Sequence, residues 1–240
     1  MPTIIISMFS FFTDFLFKHS SYSIISPLYD VDIHAPYYFM VEGIDGVGKS
    51  TFCESLRQCL NISGVPSVTY HEPFDEFPLP DNPTAEDFQR NREEFYRTHR
   101  PDGQRWIISD RSLWSTVAYN DCSNKLIKDM ERWYEDPEYL GNYNKVLFYL
   151  TARENVTIER LKQRGNIEPI ERDRKYQLAV KKKYQEIMSD EVFHLDVRMI
   201  VNTTYNYPLS DTPSLLKQHH YLDTNFTEEE IRNALYNRDN

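Results

Sequence analysis

Short apolar runs alternate with longer amphipathic stretches from residue 37 to the end of the chain. The runs at residues 37–42, 65–70, 106–110 and 145–150 predict buried strands. Helical periodicity predicts helices over residues 49–60, 85–97, 113 onward, 126–133, 155–163 and 173–189. Strands that alternate with helices indicate βαβ units. We therefore expect an α/β three-layer fold, with a central parallel sheet of about five strands and helices on both faces.

The two ends of the pattern are less regular. Residues 220–223 predict a last strand, and the Thr-Glu-Glu-Glu run at 227–230 predicts the capping box of a final helix. Residues 1–36 form an N-terminal extension, whose apolar stretch 4–17 is too short for a membrane span and contains Asp14. We expect the extension to be an appendage of the domain at 37–240, with an interfacial anchor as the alternative.

Charge and cysteine content narrow the class of protein. The chain has 27 Lys and Arg against 37 Asp and Glu, a net charge of −10. This balance argues against a protein that wraps nucleic acid, although a small phosphate pocket needs only a few positive groups. Three cysteines are too few, and odd in number, for a disulfide framework. We therefore expect a reducing, cytoplasmic compartment, with neither nucleic acid nor membrane as a partner.

Glycine is sparse in the chain and concentrated in one motif. Three of the seven glycines lie at residues 43–50, which fit G-x-x-x-x-G-K-[ST]. Such a loop wraps backbone N–H groups around phosphate oxygens at the start of a helix. Lys49 would bridge the β- and γ-phosphates, and the Ser50 hydroxyl would ligate Mg²⁺. We expect ATP to contact Gly43, Asp45, Gly46, Val47, Gly48, Lys49, Ser50 and Thr51.

The rest of the sequence favours a kinase for a small substrate. The N-K-x-D guanine motif of GTPases and a D-x-x-G switch after a strand are both missing from the sequence. Asp110 ends a predicted strand, where a carboxylate can hold Mg²⁺ through water. Arg111 follows directly and would lie between the donor and acceptor phosphates, where transition-state charge develops.

At these residues the sequence resembles the thymidylate kinase family. Residues 42–51 (EGIDGVGKST) are similar to its E-G-x-D-G-x-G-K-S-T loop, and residues 88–92 (FQRNR) to its F-x-x-N-R element. Residues 110–112 (DRS), with Ser115, Ala118 and Tyr119, are similar to its D-R-Y/H…S…A-Y element. The resemblance implies a P-loop kinase that transfers the γ-phosphoryl group of ATP to dTMP with Mg²⁺. It also implies a homodimer, a mobile lid at about residues 163–175 and an insertion at about 189–218.

The resemblance also implies roles in the dTMP site. Asp45 would accept a hydrogen bond from the deoxyribose 3′-OH, Phe88 would stack on thymine, and Arg92 would donate to the pyrimidine O4. Tyr119 would crowd the 2′ position and so disfavour ribonucleotides. The other residues of the dTMP site would be His71, Pro73, Arg111, Ser115, Thr116 and Asn120.

Members of the family supply a catalytic arginine either from the P-loop or from the lid. Because Gly46 and Val47 leave the loop of this chain without one, the resemblance directs the role to the lid. Arg172 and Arg174 would be the catalytic candidates, and Arg164 would contact ATP. The full predicted catalytic set is Lys49, Asp110, Arg111, Arg172 and Arg174.

Two departures from the family pattern leave alternatives open. His71 stands where the family has the Arg of R-E-P, and Ser112 replaces a Tyr or His, which predicts a roomier acceptor pocket that admits larger nucleotide analogues. Glu72, in an E-P context, keeps a deoxynucleoside kinase open, with Glu72 as the base toward thymidine. A nucleotide-binding switch without catalysis is the alternative from another class.

Overall fold

The computed structural model describes residues 22–24, 35–62, 64–165, 167, 169–189 and 197–203. The predicted last strand at 220–223 and the helix after it lie outside these residues, as does most of the N-terminal extension. The strands are β1 (Tyr22–Ile24), β2 (Tyr37–Glu42), β3 (Ser67–His71), β4 (Trp106–Asp110), β5 (Asn144–Thr151) and β6 (Val197–Asn202). The helices are α1 (Lys49–Ile62), α2 (Ala85–Thr98), α3 (Leu113–Tyr119), α4 (Asn124–Glu135), α5 (Glu154–Arg164), α6 (Pro169–Arg172) and α7 (Arg174–Ser189).

The strands form one sheet in the order β1-β6-β5-β2-β4-β3. Neighbours from β2 to β6 are parallel, and β1 pairs antiparallel with β6 at the edge. The predicted central parallel sheet is thereby confirmed. Strands β4 and β5 flank β2 on opposite sides, so the connections leave β2 in opposite directions. In open α/β sheets this arrangement creates a binding crevice at the carboxyl ends of the strands.

Strand β6 lies inside the stretch that the sequence resemblance assigns to an insertion. Its whole length pairs with β5, from Val197 opposite Val146 to Asn202 opposite Thr151. The sequence signal for this strand is weak because Arg198 interrupts the apolar run. The sheet therefore continues into residues 189–218, and also reaches the N-terminal extension through β1. The domain and lid boundaries stay predictions.

Side chains of β2 alternate between two cores. Tyr37, Phe39 and Val41 pack with the buried side of α1, while Tyr38 and Met40 face the core formed with α2, α3, α4 and α7. A strand buried on both faces is typical of a central strand in a parallel sheet. This packing fixes β2 rigidly, and with it the loop that follows.

The carboxyl ends of β2, β3 and β4 meet at one edge of the sheet. The glycine loop follows β2, the cis peptide Glu72–Pro73 follows β3, and Arg111 follows β4. Helix α2 begins at a capping box in which Thr84 and Asp87 exchange hydrogen bonds. The sequence motifs thus converge on this edge. Within the described ranges, no helix combines the length and apolarity needed to cross a membrane.

Candidate active site

The glycines of the loop are required by its backbone and by its neighbours. Gly43, Gly46 and Gly48 have φ of +140°, +77° and +101°. A Cβ on Gly43 would lie 2.6 Å from the carbonyl oxygen of Leu150, and one on Gly46 would lie 2.7 Å from that of Thr157. Both contacts are with backbone that cannot move aside. The loop therefore has the close packing and the φ values that only glycine supports.

Lys49 points back onto its own loop. Its Nζ donates to the carbonyls of Gly43 at 3.0 Å and Ile44 at 3.2 Å, and lies 3.6 Å from an oxygen of Asp45. Burial and the nearby charge of Arg111 lower the pKa of Lys49 to about 8. The side chain is thus a buried cation held by carbonyl oxygens, which are contacts that an anionic phosphate can replace.

Asp110 joins the loop to the neighbouring strand. Its Oδ2 accepts a hydrogen bond from Ser50 Oγ at 2.6 Å and lies 3.2 Å from Nδ1 of His71. Although burial alone would raise it, the hydrogen bonds from His71 and Ser50 hold the pKa of Asp110 below its usual value. Its Oδ1 is buried and has no hydrogen-bond partner among the residues that the structure describes. An ionised carboxylate with a free buried oxygen beside a serine hydroxyl fits a hydrated divalent cation.

Three side chains form a charged network beside the loop. Asp45 Oδ1 accepts a hydrogen bond from Arg111, and Oδ2 accepts one from the Tyr119 hydroxyl at 3.1 Å. The Arg111 guanidinium lies 5.2 Å from the centre of the Tyr119 ring. Although burial alone would raise it, Arg111 and Lys49 lower the pKa of Asp45. Arg111 has a φ of +76°. For a residue with a side chain, this backbone conformation costs of order 1–3 kcal/mol relative to the usual φ/ψ regions.

Glu42, the last residue of β2, is a buried hub that the sequence reasoning did not single out. It accepts hydrogen bonds from the Ser112 hydroxyl at 2.7 Å, the Ser115 hydroxyl at 2.6 Å and the Tyr184 hydroxyl at 2.8 Å. Ser112 also caps α3 by accepting a hydrogen bond from the backbone N–H of Trp114. Ser115, predicted in the dTMP site, therefore uses its hydroxyl to hold Glu42. The Ser112 departure supplies a helix cap and a donor to this hub.

Arg92 lies at the centre of a second, fully buried cluster. Its Nε and Nη2 donate to one oxygen of Glu72 at 2.9 and 2.7 Å, and Nη2 also contacts Thr116 Oγ1 at 3.2 Å. Nη1 donates to Gln89 Oε1 at 2.6 Å. Although burial alone would lower it, Glu72 raises the pKa of Arg92, while burial raises the pKa of Glu72. The structure thus brings together the predicted residues Arg92 and Thr116, with Glu72 between them and the tyrosine-rich core.

The other residues predicted around the base lie near this cluster. Phe88 is half-buried on α2, one turn before Arg92, and belongs to neither hydrophobic core of the described residues. Asn120 caps α3 and donates its side-chain amide to the Thr116 carbonyl at 2.9 Å. Pro73 is half-buried after the cis peptide. Phe88 is therefore free of core packing, whereas the Asn120 amide is occupied by the backbone.

The three arginines predicted for the lid differ in their contacts. Arg164 forms an ion pair with Glu171, and Arg174 contacts Glu154 through two nitrogens at 2.6 and 3.0 Å. Arg172, at the end of α6, is exposed and has no hydrogen bond or ion pair within the described part of the chain. Arg164 and Arg174 would have to break an ion pair to reach a ligand, whereas Arg172 would not.

Arg160 on α5 was also missed from the sequence. Its Nη1 donates to the Val47 carbonyl at 3.0 Å, and Nη2 donates to the Thr203 carbonyl at 2.5 Å. The Thr203 hydroxyl also donates to Val47, at 2.6 Å. The end of β6 therefore braces the P-loop. No local signal separates Arg160 from the other charged residues of its helix, and the contact depends on β6, which the sequence did not predict.

The sheet order, the P-loop and the Ser50–Asp110 pair define the class as a P-loop kinase. The sequence profile described as "Thymidylate kinase" matches residues 82–204, more than half of the 240 residues. The chain therefore belongs to the thymidylate kinase family.

Individual relatives agree with this family. The thymidylate kinase of Leptospira borgpetersenii serovar Hardjo-bovis is 28% identical over 189 residues, covering 68% of this chain and 87% of that one. The thymidylate kinase of Campylobacter curvus is 30% identical over 173 residues, covering 66% and 88%. A solved deoxyadenosine kinase from M. mycoides with bound dCTP superposes with a TM-score of 0.44 at 19% identity, covering 75% and 96%.

Proposed function

We propose that this member of the thymidylate kinase family transfers the γ-phosphoryl group of ATP to dTMP, giving dTDP and ADP. The observation that carries the proposal is the meeting, at one sheet edge, of the glycine loop with Lys49, the Ser50–Asp110 pair and Arg111. Because the acceptor of such a reaction is already an ionised phosphate, positioning and charge stabilisation suffice and no general base is needed.

The donor phosphates would bind at the loop. The loop N–H groups and Lys49 would hold them, with Lys49 exchanging its contacts to the Gly43 and Ile44 carbonyls for phosphate oxygens. Ser50 and the free Oδ1 of Asp110 fit Mg²⁺, which when bound neutralises developing phosphate charge. No group of three or more His, Cys, Asp or Glu side chains in the described ranges could hold a metal. A one-carboxylate site suits Mg²⁺ shared with a nucleotide.

The acceptor nucleotide would lie between Asp110 and α2. Arg111, next to the loop and held by Asp45, would contact the transferring phosphoryl group. Asp45 and Tyr119 would face the sugar, while Phe88 and Arg92 would face the base, as the family resemblance implies. His71 would take the place of the family's phosphate-binding arginine from its exposed position 3.2 Å from Asp110.

The lid would supply the last positive charge. Since Arg164 and Arg174 are paired with carboxylates, the unpaired Arg172 is the better candidate to meet the transition state when the lid closes. The family resemblance also supports a homodimer, which sedimentation velocity of the purified chain would test.

A thymidine kinase is the second candidate function, because burial raises the pKa of Glu72 and its Oε1 has no hydrogen-bond partner in the described part of the chain. A general base needs both a pKa near neutrality and access to the 5′-OH. Glu72 is bound by Arg92 through its other oxygen and its side chain is only 5% exposed, which supports a positioning role instead.

The test is an ADP-release assay with ATP, Mg²⁺ and either dTMP or thymidine. We expect turnover with dTMP and at most trace turnover with thymidine. Turnover with thymidine alone would move catalysis to Glu72. ATP binding without turnover on either acceptor would favour the nucleotide-binding switch. A Lys49→Met variant serves as the blank for contaminating kinases.

A further inference from the structure

The buried cluster around Arg92 contains a residue that no family motif assigns. Gln89 lies one turn before Arg92 on α2, in a variable position of F-x-x-N-R, yet its side chain is buried. Its Oε1 accepts from Arg92 Nη1 at 2.6 Å, and its Nε2 donates to Glu93 Oε1 at 2.9 Å. Because the carboxylate of Glu93 can only accept from the amide, it fixes the orientation that turns Oε1 toward Arg92.

The donors of Arg92 can be counted. A guanidinium has five N–H groups in a rigid plane. The Nε donor and the two Nη2 donors are used by Glu72 and Thr116, and one Nη1 donor is used by Gln89. Among the described residues, one N–H on Nη1 is left without an acceptor. The side chain is 2% exposed, so this single donor is what Arg92 can offer to a ligand.

The direction of that donor depends on Gln89. Glu72 and Thr116 hold the Nε and Nη2 side of the plane, and Gln89 is the acceptor that holds the Nη1 side. Without it, the plane can rotate about the Glu72 contact and offer either Nη1 hydrogen. A donor held within a narrow range of directions discriminates better between ligands than a mobile one.

We propose that Gln89 is a positioning residue for base selection, which presents one N–H of Arg92 to a carbonyl oxygen on the nucleobase. The inference rests on the proposed function, since it takes the nucleotide base to lie against Arg92 and Phe88. It deepens that function by naming the residue that directs the Arg92 donor toward the base. A base with a carbonyl at this position, as in dTMP or dUMP, accepts the hydrogen bond and is bound. A base with an amino group there, as in dCMP, places a second donor against the N–H of Arg92 and is rejected.

The test compares Gln89→Met with the double variant Gln89→Glu and Glu93→Gln. Methionine keeps the length and volume of the side chain but removes the acceptor. The double variant keeps an acceptor toward Arg92 and a donor–acceptor pair between positions 89 and 93, whereas Gln89→Glu alone would place two carboxylates in contact. For Gln89→Met we expect the ratio of kcat/KM for dTMP over dCMP to fall about tenfold, through a higher KM for dTMP with kcat nearly unchanged. The KM for ATP should not change. The double variant should keep the wild-type ratio, which a role in packing alone would not explain.

Two further variants complete the experiment. Gln58→Met is the matched control, since Gln58 is a half-buried helical glutamine that donates to Glu54 at 2.8 Å, away from the site. Glu93→Ala removes the group that orients the Gln89 amide. We expect it to shift the ratio in the same direction by about threefold, so that the proposal stays testable if Gln89→Met does not fold.

Binding of dTMP and dCMP is measured by calorimetry beside turnover. If the wild type binds dTMP but does not phosphorylate it, the proposed function fails, and the affinity ratio still tests Gln89. An unchanged ratio in both Gln89→Met and Glu93→Ala, or an equal loss for both nucleotides, overturns the role of Gln89. A wild type that binds dCMP as well as dTMP overturns it too.

Discussion

At the phosphate end of the site, Lys49 binds carbonyls of its own loop, whereas at the base end Arg92 binds side chains from three other positions in the fold. Here "phosphate end" means Lys49, Ser50, Asp110 and Arg111, and "base end" means Glu72, Gln89, Arg92 and Thr116. Each end has an arginine–carboxylate ion pair, Arg111 with Asp45 near the loop and Arg92 with Glu72 at the base end. The side chains of Arg111 and Asp45 are 21% and 13% exposed, whereas those of Arg92 and Glu72 are 2% and 5% exposed.

The two ends differ in how a buried cation is bound before a ligand arrives. The Lys49 ammonium donates to two backbone carbonyls of its own loop, and phosphate oxygens could replace those contacts. Arg92 has four donors bound to buried side chains and one left among the described residues, so a nucleotide base would add a contact without breaking any. We therefore expect substitutions at the phosphate end to remove activity with little loss of stability, and substitutions at the base end to reduce both stability and selectivity.

The largest effect is expected for Lys49→Ala. Lys49 would stabilise the negative charge on the phosphate during transfer. Its loss should therefore lower kcat/KM by about 10³-fold or more. The free energy of unfolding, measured by urea denaturation, should stay within about 1 kcal/mol of wild type, because the loop supplies only carbonyl contacts to the ammonium. Lys128→Ala, on an exposed position of α4, is the control. Unfolding of Lys49→Ala would contradict this expectation, because it would show that the phosphate end has a structural role.

The next effect concerns the lid. Arg172→Ala should lower kcat by about 10²-fold, since a mobile arginine that reaches the transition state contributes strongly to phosphoryl transfer. Arg164→Ala and Arg174→Ala are matched controls, because each removes an arginine that is already paired with a carboxylate. Their kcat should fall by less than about fivefold. A larger loss in Arg174→Ala than in Arg172→Ala would show that the exposed Glu154 pair opens on closure.

The phosphate end could be predicted from sequence because its residues are contiguous. The glycine loop is a run of neighbouring residues whose φ values and spacing determine where the N–H groups point, and Asp110-Arg111 follows a strand that the apolar run identifies. Strands β2 to β5 and the helices other than α6 were predicted to within a few residues for the same reason: each depends on local periodicity.

At the base end, the family resemblance named Arg92 and Thr116, but the contacts of Arg92 and those of Glu42 could not be predicted in this way. Arg92 and Glu72 are 20 residues apart, and Tyr184 reaches Glu42 across 142 residues. Such contacts exist only once the sheet and helices are assembled, and a buried glutamine such as Gln89 has no periodic signature that marks it as an arginine acceptor. Strand β6 was missed because its apolar run is interrupted and its stability comes from pairing with β5.

Stability should depend on the base end. Arg92→Met leaves Glu72 buried without its cation, and the free energy of unfolding should fall by about 3 kcal/mol. The double variant Arg92→Met with Glu72→Gln should recover at least half of that loss, because the uncompensated carboxyl group is removed. Both are measured by urea denaturation with the m-value checked. Equal stability of wild type and Arg92→Met would contradict the permanent role assigned to this pair.

The smallest predicted effect is a pH dependence confined to the phosphate end. In the ligand-free protein, burial and Arg111 lower the pKa of Lys49 to about 8, so the ammonium is present below this pH and lost above it. Anionic ATP binds the ammonium form and holds its proton to higher pH. Its affinity should therefore fall about eightfold between about pH 7.5 and about pH 9, following the protonated fraction of the free protein. Calorimetric titration with ATP measures this fall.

A Lys49→Arg variant is the control, because its side chain stays charged from about pH 7.5 to about pH 9 and its ATP affinity should not change over that range. An equally steep profile in that variant would assign the titration to a group other than Lys49.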